Sequence, residues 1–296
     1  MLYRIRHVTR FEYAHPVAFA RCNLRLKPIL WSGQIIEDYR LTITPHGETS
    51  PARAEAGLAN VVRLVLDAPV RSLTIESSAH VKVDRMIPVP QPSDPTLGEI
   101  AELARASRDA SPVSPANYLF PSPLIPLDRE IAAWCALDLD PGRGVLEAGI
   151  ALAQRIQREF AFDPTATLVD TPPHEAFEKR GGVCQDFAQI MISGLRAAGL
   201  PAAYVSGYLR TLPPPGQPRL VGADATHAWV LLWCGPDLGW VGVDPTNGIW
   251  MAEDHVVMAI GRDYADIAPI DGIVLGSGAQ EMHVSVDVEP LEQVPA

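Results

Sequence analysis

The sequence predicts an α+β protein, and three observations carry that reading. Apolar and polar residues alternate from residue 1 to about 85, apolar residues recur at intervals of three and four between about 127 and 198, and apolar strand patterns return from residue 202. Runs of strands and runs of helices that stay separate along the chain belong to this class.

In the first stretch Tyr3, Ile5, Phe11 and Tyr13 alternate with Arg4, Arg6, Arg10 and Glu12. Leu24/Leu26, Leu41/Ile43, Val62/Leu64/Leu66, Leu73/Ile75 and Val81/Val83 repeat the period between Pro, Gly, Asn and Asp breaks, so residues 1–85 read as a β-rich N-terminal domain with antiparallel pairing. Residues 86–125 are a Pro-rich connector, since Pro88, Pro90, Pro92, Pro95, Pro112, Pro115, Pro121 and Pro123 cannot sit inside regular elements, with one short helix at about Leu97 to Ser107. A core follows over 126–270, and 271–296 reads as a C-terminal tail with a short strand.

Within the core, Leu127 to Leu137 and Val145 to Phe160 have helical spacing, and His174 to Lys179 makes one more turn. Cys184, Phe187, Met191, Gly194, Leu195 and Ala198 then mark a buried helix that Gly199 and Pro201 stop. Ala202 to Leu209 is strand-like, Pro213-Pro214-Pro215-Gly216 is a loop, and Ala225 to Cys234 and Trp240 to Asp244 form a hairpin joined through Gly235 to Gly239.

The 296 residues carry 24 Lys plus Arg against 35 Asp plus Glu, a net charge of −11 that argues against nucleic-acid and anionic-membrane partners. Cys22, Cys135, Cys184 and Cys234 are scattered without a C-x-x-C pair, the N-terminus lacks the apolar core of a signal peptide, and no run is long enough to span a membrane, so a reduced, cytoplasmic location is expected. No two His or Cys stand at ligand spacing and no oxygen-rich loop of the EF-hand type occurs, so neither a metal nor another cofactor is expected.

Gly181-Gly182-Val183-Cys184-Gln185-Asp186-Phe187 places a thiol at a helix start, where the helix dipole and unpaired N–H groups favour the thiolate. A cysteine nucleophile also needs a base and a group that orients it. His227, an ionisable residue inside an apolar strand, is the base candidate, and Asp244, at the end of the next strand before Pro245, is the orienting carboxylate. His227 and Asp244 share a sheet face only if opposed residue numbers in the hairpin sum to an odd number. Pairing Trp233 with Trp240 meets this condition and is the register expected.

The bland readings are specific. Cys184 could be a packed helix residue, His227 a satisfied core histidine, and Asp244 the start of a turn. Asp186 suits the first turn of a helix without further function and would slightly oppose thiolate formation. Cys22, Cys135 and Cys234 read as packing residues, and Trp229, Trp233 and Trp240 as sheet core, one of which could wall an acyl site. His174 and His255 are rival bases that lack a comparable carboxylate on a paired strand.

Gly-Gly-Val-Cys-Gln-Asp-Phe-Ala at 181–188, Tyr-Val-Ser-Gly-Tyr-Leu at 204–209, Thr-His-Ala-Trp-Val at 226–230 and Trp-Val-Gly-Val-Asp-Pro-Thr-Asn at 240–247 together resemble the bacterial transglutaminase-like proteins. The resemblance extends to the N-terminal strands and to Gly261-Arg262-Asp263-Tyr264. It implies a papain-like core in which Cys184 opens a helix packed on an antiparallel sheet bearing His227 and Asp244, and acyl transfer from a peptide or other amide substrate through a thioester. Members of the wider superfamily transfer the acyl group to an amine or hydrolyse it, and some have lost activity, so hydrolysis is the expectation, with transamidation and a non-catalytic peptide-binding scaffold as the alternatives. The Cys184 N–H is the natural oxyanion donor. A second donor is unassigned, with Gln185, Glu178 and Trp134 considered. Arg262 and Asp263 read as a local ion pair or turn.

Overall fold

The structure, a computed structural model, describes residues 1–211 and 225–291. The expected loop at Pro213 to Gly216 lies outside the described residues. Six strands open the chain: β1 (Leu2–Val17), β2 (Phe19–Lys27), β3 (Gln34–Thr44), β4 (Glu48–Ala52), β5 (Leu58–Leu66) and β6 (Val70–Val83). The last of these joins two runs that looked separate in the sequence. In β1 the alternation seen in the sequence becomes alternating burial, with Tyr3 and Ile5 in the core and Arg4 and Arg6 in solvent.

The connector carries α1 (Leu97–Ala106), where Thr96 and Glu99 form a reciprocal capping box. The core then runs through α2 (Arg129–Cys135), α3 (Val145–Glu159), β7 (Ala161–Phe162), α4 (Pro173–Lys179), β8 (Gly181–Gly182) and α5 (Cys184–Ala197). Its strands are β9 (Ala202–Leu209), β10 (Ala225–Trp233), β11 (Trp240–Asp244), β12 (Ile249–Trp250) and β13 (His255–Gly261), followed by α6 (Tyr264–Ile267), β14 (Ile270–Leu275) and β15 (Gln280–Leu291).

Two large sheets organise these strands. The smaller has the order β15-β1-β6-β3, and the larger runs β12-β11-β10-β9-β13-β5-β2-β14 with β4 added on β5. The larger sheet crosses the boundary expected near residue 85, because β13 of the core pairs with β5 through Ala259 to Ala59 and Ile260 to Leu58. The C-terminal segment is also more than a tail with a short strand. β15 is 12 residues long and pairs along β1 from Leu2 to Tyr13.

α5 is buried on every side. Phe187, Ala188, Ile190, Met191, Ile192 and Leu195 are all closed to solvent, the pattern of a helix enclosed by other elements rather than lying on a surface. The helix packs against α2, α3, α4, β9 and β10. A side chain at Gly194 would collide with the Cys135 sulfur, so the glycine sets the close approach of α2 to α5. Cys135 and Cys234 are buried, as packing residues should be, and Gly199 ends α5 with a φ of 77°.

Along β10 the two faces serve different cores. Ala228, Val230 and Leu232 pack with the helices, whereas Trp229 and Leu231 pack with Ile29, Val205, Met251 and Val257.

Candidate active site

The hairpin adopts the expected register: Trp233 opposes Trp240, and Val230 opposes Val243. His227 and Asp244 thereby fall on one face, that of Trp229, and the His227 Nε2 lies 2.8 Å from Asp244 Oδ2. With Nε2 engaged by the carboxylate, Nδ1 is the nitrogen left to serve a thiol, and Cys184 is near enough to the imidazole to favour its charged form. Cys184 is partly exposed, while His227 is 8% and Asp244 0% exposed, so a reagent can reach the sulfur while the two groups behind it stay out of water.

Burial disfavours the imidazolium, but the hydrogen bonds and charges of Asp244 and Cys184 outweigh it and hold the His227 pKa well above its ordinary value. For Asp244 burial acts in the opposite direction, and hydrogen bonds from His227 and His255 hold the carboxyl well below the usual range.

The two oxygens of Asp244 divide their work. Oδ1 accepts the backbone N–H groups of Thr246 at 2.9 Å and Asn247 at 3.3 Å, which is the turn anticipated before Pro245. Oδ2 accepts from His227, from Asn247 Nδ2 at 2.6 Å and from His255 Nε2 at 3.2 Å. The turn and the contact with His227 therefore coexist at Asp244, the first on Oδ1 and the second on Oδ2. His255 has no carboxylate on a strand paired with its own, as expected, since β13 pairs with β9 and β5; its contact with Asp244 comes from across the sheet. It shares Asp244, and it arrives from β13, two strands beyond β10, where no local motif signals it. The other rival base, His174, sits elsewhere, against Asp128 and Glu178.

The nucleophile loop is built around Asp186. Its Oδ2 accepts the Val183 N–H at 2.8 Å and the Thr167 hydroxyl at 2.7 Å. A Cβ on Gly182 would stand 2.4 Å from that same oxygen, so the second glycine is what lets the carboxylate fold back under the loop. Burial raises the Asp186 pKa against the pull of these hydrogen bonds. β7 lies parallel to β8, pairing Phe162 with Gly182, and fixes the approach to Cys184 from the other side.

None of the three positions weighed for a second oxyanion donor supplies one, and Glu178, a carboxylate, has no proton to donate. Gln185 Nε2 donates to the Val169 carbonyl at 2.7 Å, Trp134 Nε1 donates to Glu159 at 3.2 Å, and Glu178 faces His174. The Cys184 N–H lies in the first turn of α5, where backbone N–H groups have no intrahelical partner. Tyr204, which the sequence marked only as part of a motif, is fully buried beside Cys184, and burial first and the cysteine's charge second raise its pKa far up. Arg262 pairs with Asp266 rather than Asp263, and Asp263 caps α6 by accepting the Ala265 N–H.

His227, Asp244 and His255 also bring possible ligand atoms within 4.8 Å of one another. Their hydrogen bonds do not suit a metal. His255 Nδ1 accepts the Ala252 N–H, so in the neutral ring Nε2 carries the proton and turns no lone pair toward the cluster.

Among the described residues no helix is long and apolar enough to cross a membrane. The family model of the transglutaminase-like superfamily matches residues 137–245, and that of the bacterial transglutaminase-like N-terminal region matches residues 3–82. An uncharacterized protein of Mycobacterium tuberculosis (strain H37Rv) is 37% identical over 300 residues, covering 98% of this chain and 93% of its own. A protein-glutamine gamma-glutamyltransferase of Pseudomonas aeruginosa is 42% identical over 100 residues, which are 32% of this chain and 15% of that protein. The crystal structure of a candidate cysteine protease from Cytophaga hutchinsonii aligns over 100% of this chain and 93% of its own, with a TM-score of 0.74 and 21% identity, and so shares the fold. Matched in both its N-terminal strands and its core, the chain belongs to the transglutaminase-like superfamily.

Proposed function

We propose that the chain is a thiol-dependent acyl-transfer enzyme that acts on a peptide or other amide, with Cys184 as nucleophile, His227 as acid and base, and Asp244 as the group that orients the imidazole. The observation that carries this reading is His227 itself, held by Asp244 on one nitrogen and neighboured by the Cys184 thiol. A buried imidazole set against a buried carboxylate is an expensive feature for packing alone.

In this mechanism the Cys184 proton resides on His227, and the sulfur adds to the amide carbonyl carbon. The Cys184 N–H receives the oxyanion as it forms at the first turn of α5. His227 passes its proton to the departing nitrogen, the C–N bond breaks, and a thioester remains. Water then gives a proton to His227 and adds to the thioester, and the tetrahedral adduct expels the Cys184 thiolate with the carboxylic acid as product. Asp244 keeps its charge throughout and stabilises the imidazolium.

Hydrolysis is the first reading, because water is always present as the acceptor. Transfer to an amine is the second, motivated by the gamma-glutamyltransferase whose sequence matches 32% of this chain. Both are tested by incubating the protein with glutamine-containing and ordinary peptide amides, with and without a labelled primary amine, and following the products by mass spectrometry. Free acid formed in a Cys184-dependent manner supports hydrolysis, and label incorporated into the acyl product supports transamidation. A Cys184→Ala variant that turns over substrate as the parent does contradicts both. An unreactive Cys184 thiol is the outcome that favours a peptide-binding scaffold.

A further inference from the structure

We infer that His255 is a positioning residue of this site: a neutral imidazole of fixed tautomer that donates from Nε2 to Asp244 and holds the carboxylate in the orientation His227 requires. The inference rests on the proposed roles of Cys184, His227 and Asp244.

The tautomer follows from two contacts. The Ala252 N–H donates to His255 Nδ1 at 3.2 Å, which leaves that nitrogen unprotonated. The ring proton is then on Nε2, aimed at Asp244 Oδ2 at 3.2 Å. A proton on Nδ1 would meet the Ala252 N–H that already points there, so the contacts assign the Nε2–H form. A neutral donor is what the site needs here. It anchors the carboxylate without adding a second cation to compete with the His227 imidazolium 6.2 Å away, centroid to centroid.

The location is equally specific. His255 is 1% exposed, and the Trp229 indole meets it edge-on at 5.1 Å while stacking on His227 at 6.0 Å. Among the described residues, the charged and titratable groups facing His255 are Asp244 from β11, His227 from β10, and the guanidinium of Arg85 just after β6, which donates to the His255 and Ala252 carbonyls. Gln34 of β3 continues the support, accepting from Arg85 and from the Val257 N–H and donating to the Val257 carbonyl. Residues from the N-terminal half of the chain therefore fix the strand segment that presents His255.

The test uses iodoacetate, whose negative charge makes its reaction with the thiolate depend on the neighbouring imidazolium. Its rate with the full chain is measured against pH for the parent, His255→Phe and His255→Gln. The Phe ring fills the space but offers no proton, whereas the Gln amide can reach Asp244. Without the His255 donor the carboxylate binds the His227 proton more strongly, so in H255F the alkaline limb moves to higher pH by roughly half a unit, the size expected for one hydrogen bond. The maximal rate falls roughly tenfold or more as the carboxylate loses its fixed orientation, and H255Q recovers much of both effects. A residue that only packs leaves the limb in place, so a parental limb in H255F overturns the inference.

Should H255F fail to fold, nitrogen-15 NMR of the parent decides: a proton on Nε2 and none on Nδ1 across neutral pH supports the assignment, and the reverse tautomer or an imidazolium overturns it. Labelling that depends on His227 and Asp244 but not on His255 removes this inference alone. Labelling of the parent that does not depend on His227 removes it together with the proposed function.

Discussion

Gly207 lies directly opposite His227 in the sheet, and the space its side chain would take is filled by Trp229. A Cβ at Gly207 would stand 2.2 Å from the Val256 carbonyl oxygen and 2.3 Å from the Trp229 ring, and that ring in turn stacks on His227. The glycine of the Tyr-Val-Ser-Gly-Tyr-Leu motif is therefore part of how the imidazole is seated. Gly207→Ala is expected to push both Trp229 and the β13 backbone at Val256 away, at a cost of about 1–3 kcal/mol, as overpacked cores do. Denaturant unfolding measures that cost, and loss of Cys184 alkylation in the same variant links it to the site. Parental stability together with parental reactivity would show that the indole does not seat His227.

The loop before the thiol makes a second prediction. Asp186→Ala removes the acceptor for the Val183 N–H and the Thr167 hydroxyl, and leaving these donors without it costs about 1–3 kcal/mol. Cys184 reactivity should fall with it, because the loop that sets the sulfur's position loses its tie. Thr167→Val, which removes one of the two bonds, should lie between the parent and D186A in an unfolding titration.

The pH dependence follows from opposite shifts. The His227 pKa is raised in the folded chain, so its contribution to stability is complete below the unfolded histidine value and is lost as pH rises through the raised one. Asp244 is lowered, so its contribution is present above the unfolded carboxylate value and is lost as pH falls. Asp244→Asn weakens the strongest influence that raises the His227 pKa, the carboxylate's hydrogen bond. The alkaline limb of iodoacetate labelling should then move to lower pH by a unit or more, opposite in direction to the shift expected of H255F. A limb that stays in place in D244N would separate Asp244 from the imidazole's charge.

The N-terminal strands should matter to the site even though they hold none of its reacting groups. Gln34→Ala leaves the Val257 N–H and the Ile29 and Val257 carbonyls without their partner and frees one donor of Arg85. The expected cost is about 2–3 kcal/mol, measured as a drop in the denaturant midpoint. A lower Cys184 alkylation rate in the variant that still folds would trace the effect through β13 to His255.

Local pattern carried much of this architecture. Alternation gave the strands, the Gly199-x-Pro201 stop gave the end of α5, and parity in the short hairpin was enough to place His227 beside Asp244. What stayed hidden was long-range. His255 reaches Asp244 from a strand whose place is set by pairing with β9 and β5, and no spacing along the chain encodes that neighbourhood. The continuous larger sheet was hidden for the same reason, since a Pro-rich connector looks like a domain boundary whether or not the strands on either side of it later pair. Asp186 was seen only as a helix-start carboxylate, because its function depends on the missing Cβ of Gly182 and on Thr167, 19 residues earlier.

The central claim is that Cys184 and His227 act as one reactive pair. The direct measurement is site-resolved labelling by iodoacetamide at pH about 5.5, where an ordinary thiol is only about one-thousandth ionised, in the parent and in His227→Ala. The account predicts rapid labelling of Cys184 in the parent, little at Cys22, Cys135 or Cys234, and a loss of at least tenfold at Cys184 in H227A. Labelling of Cys184 that is as slow as that of an ordinary thiol, or that is unchanged in H227A, would contradict it.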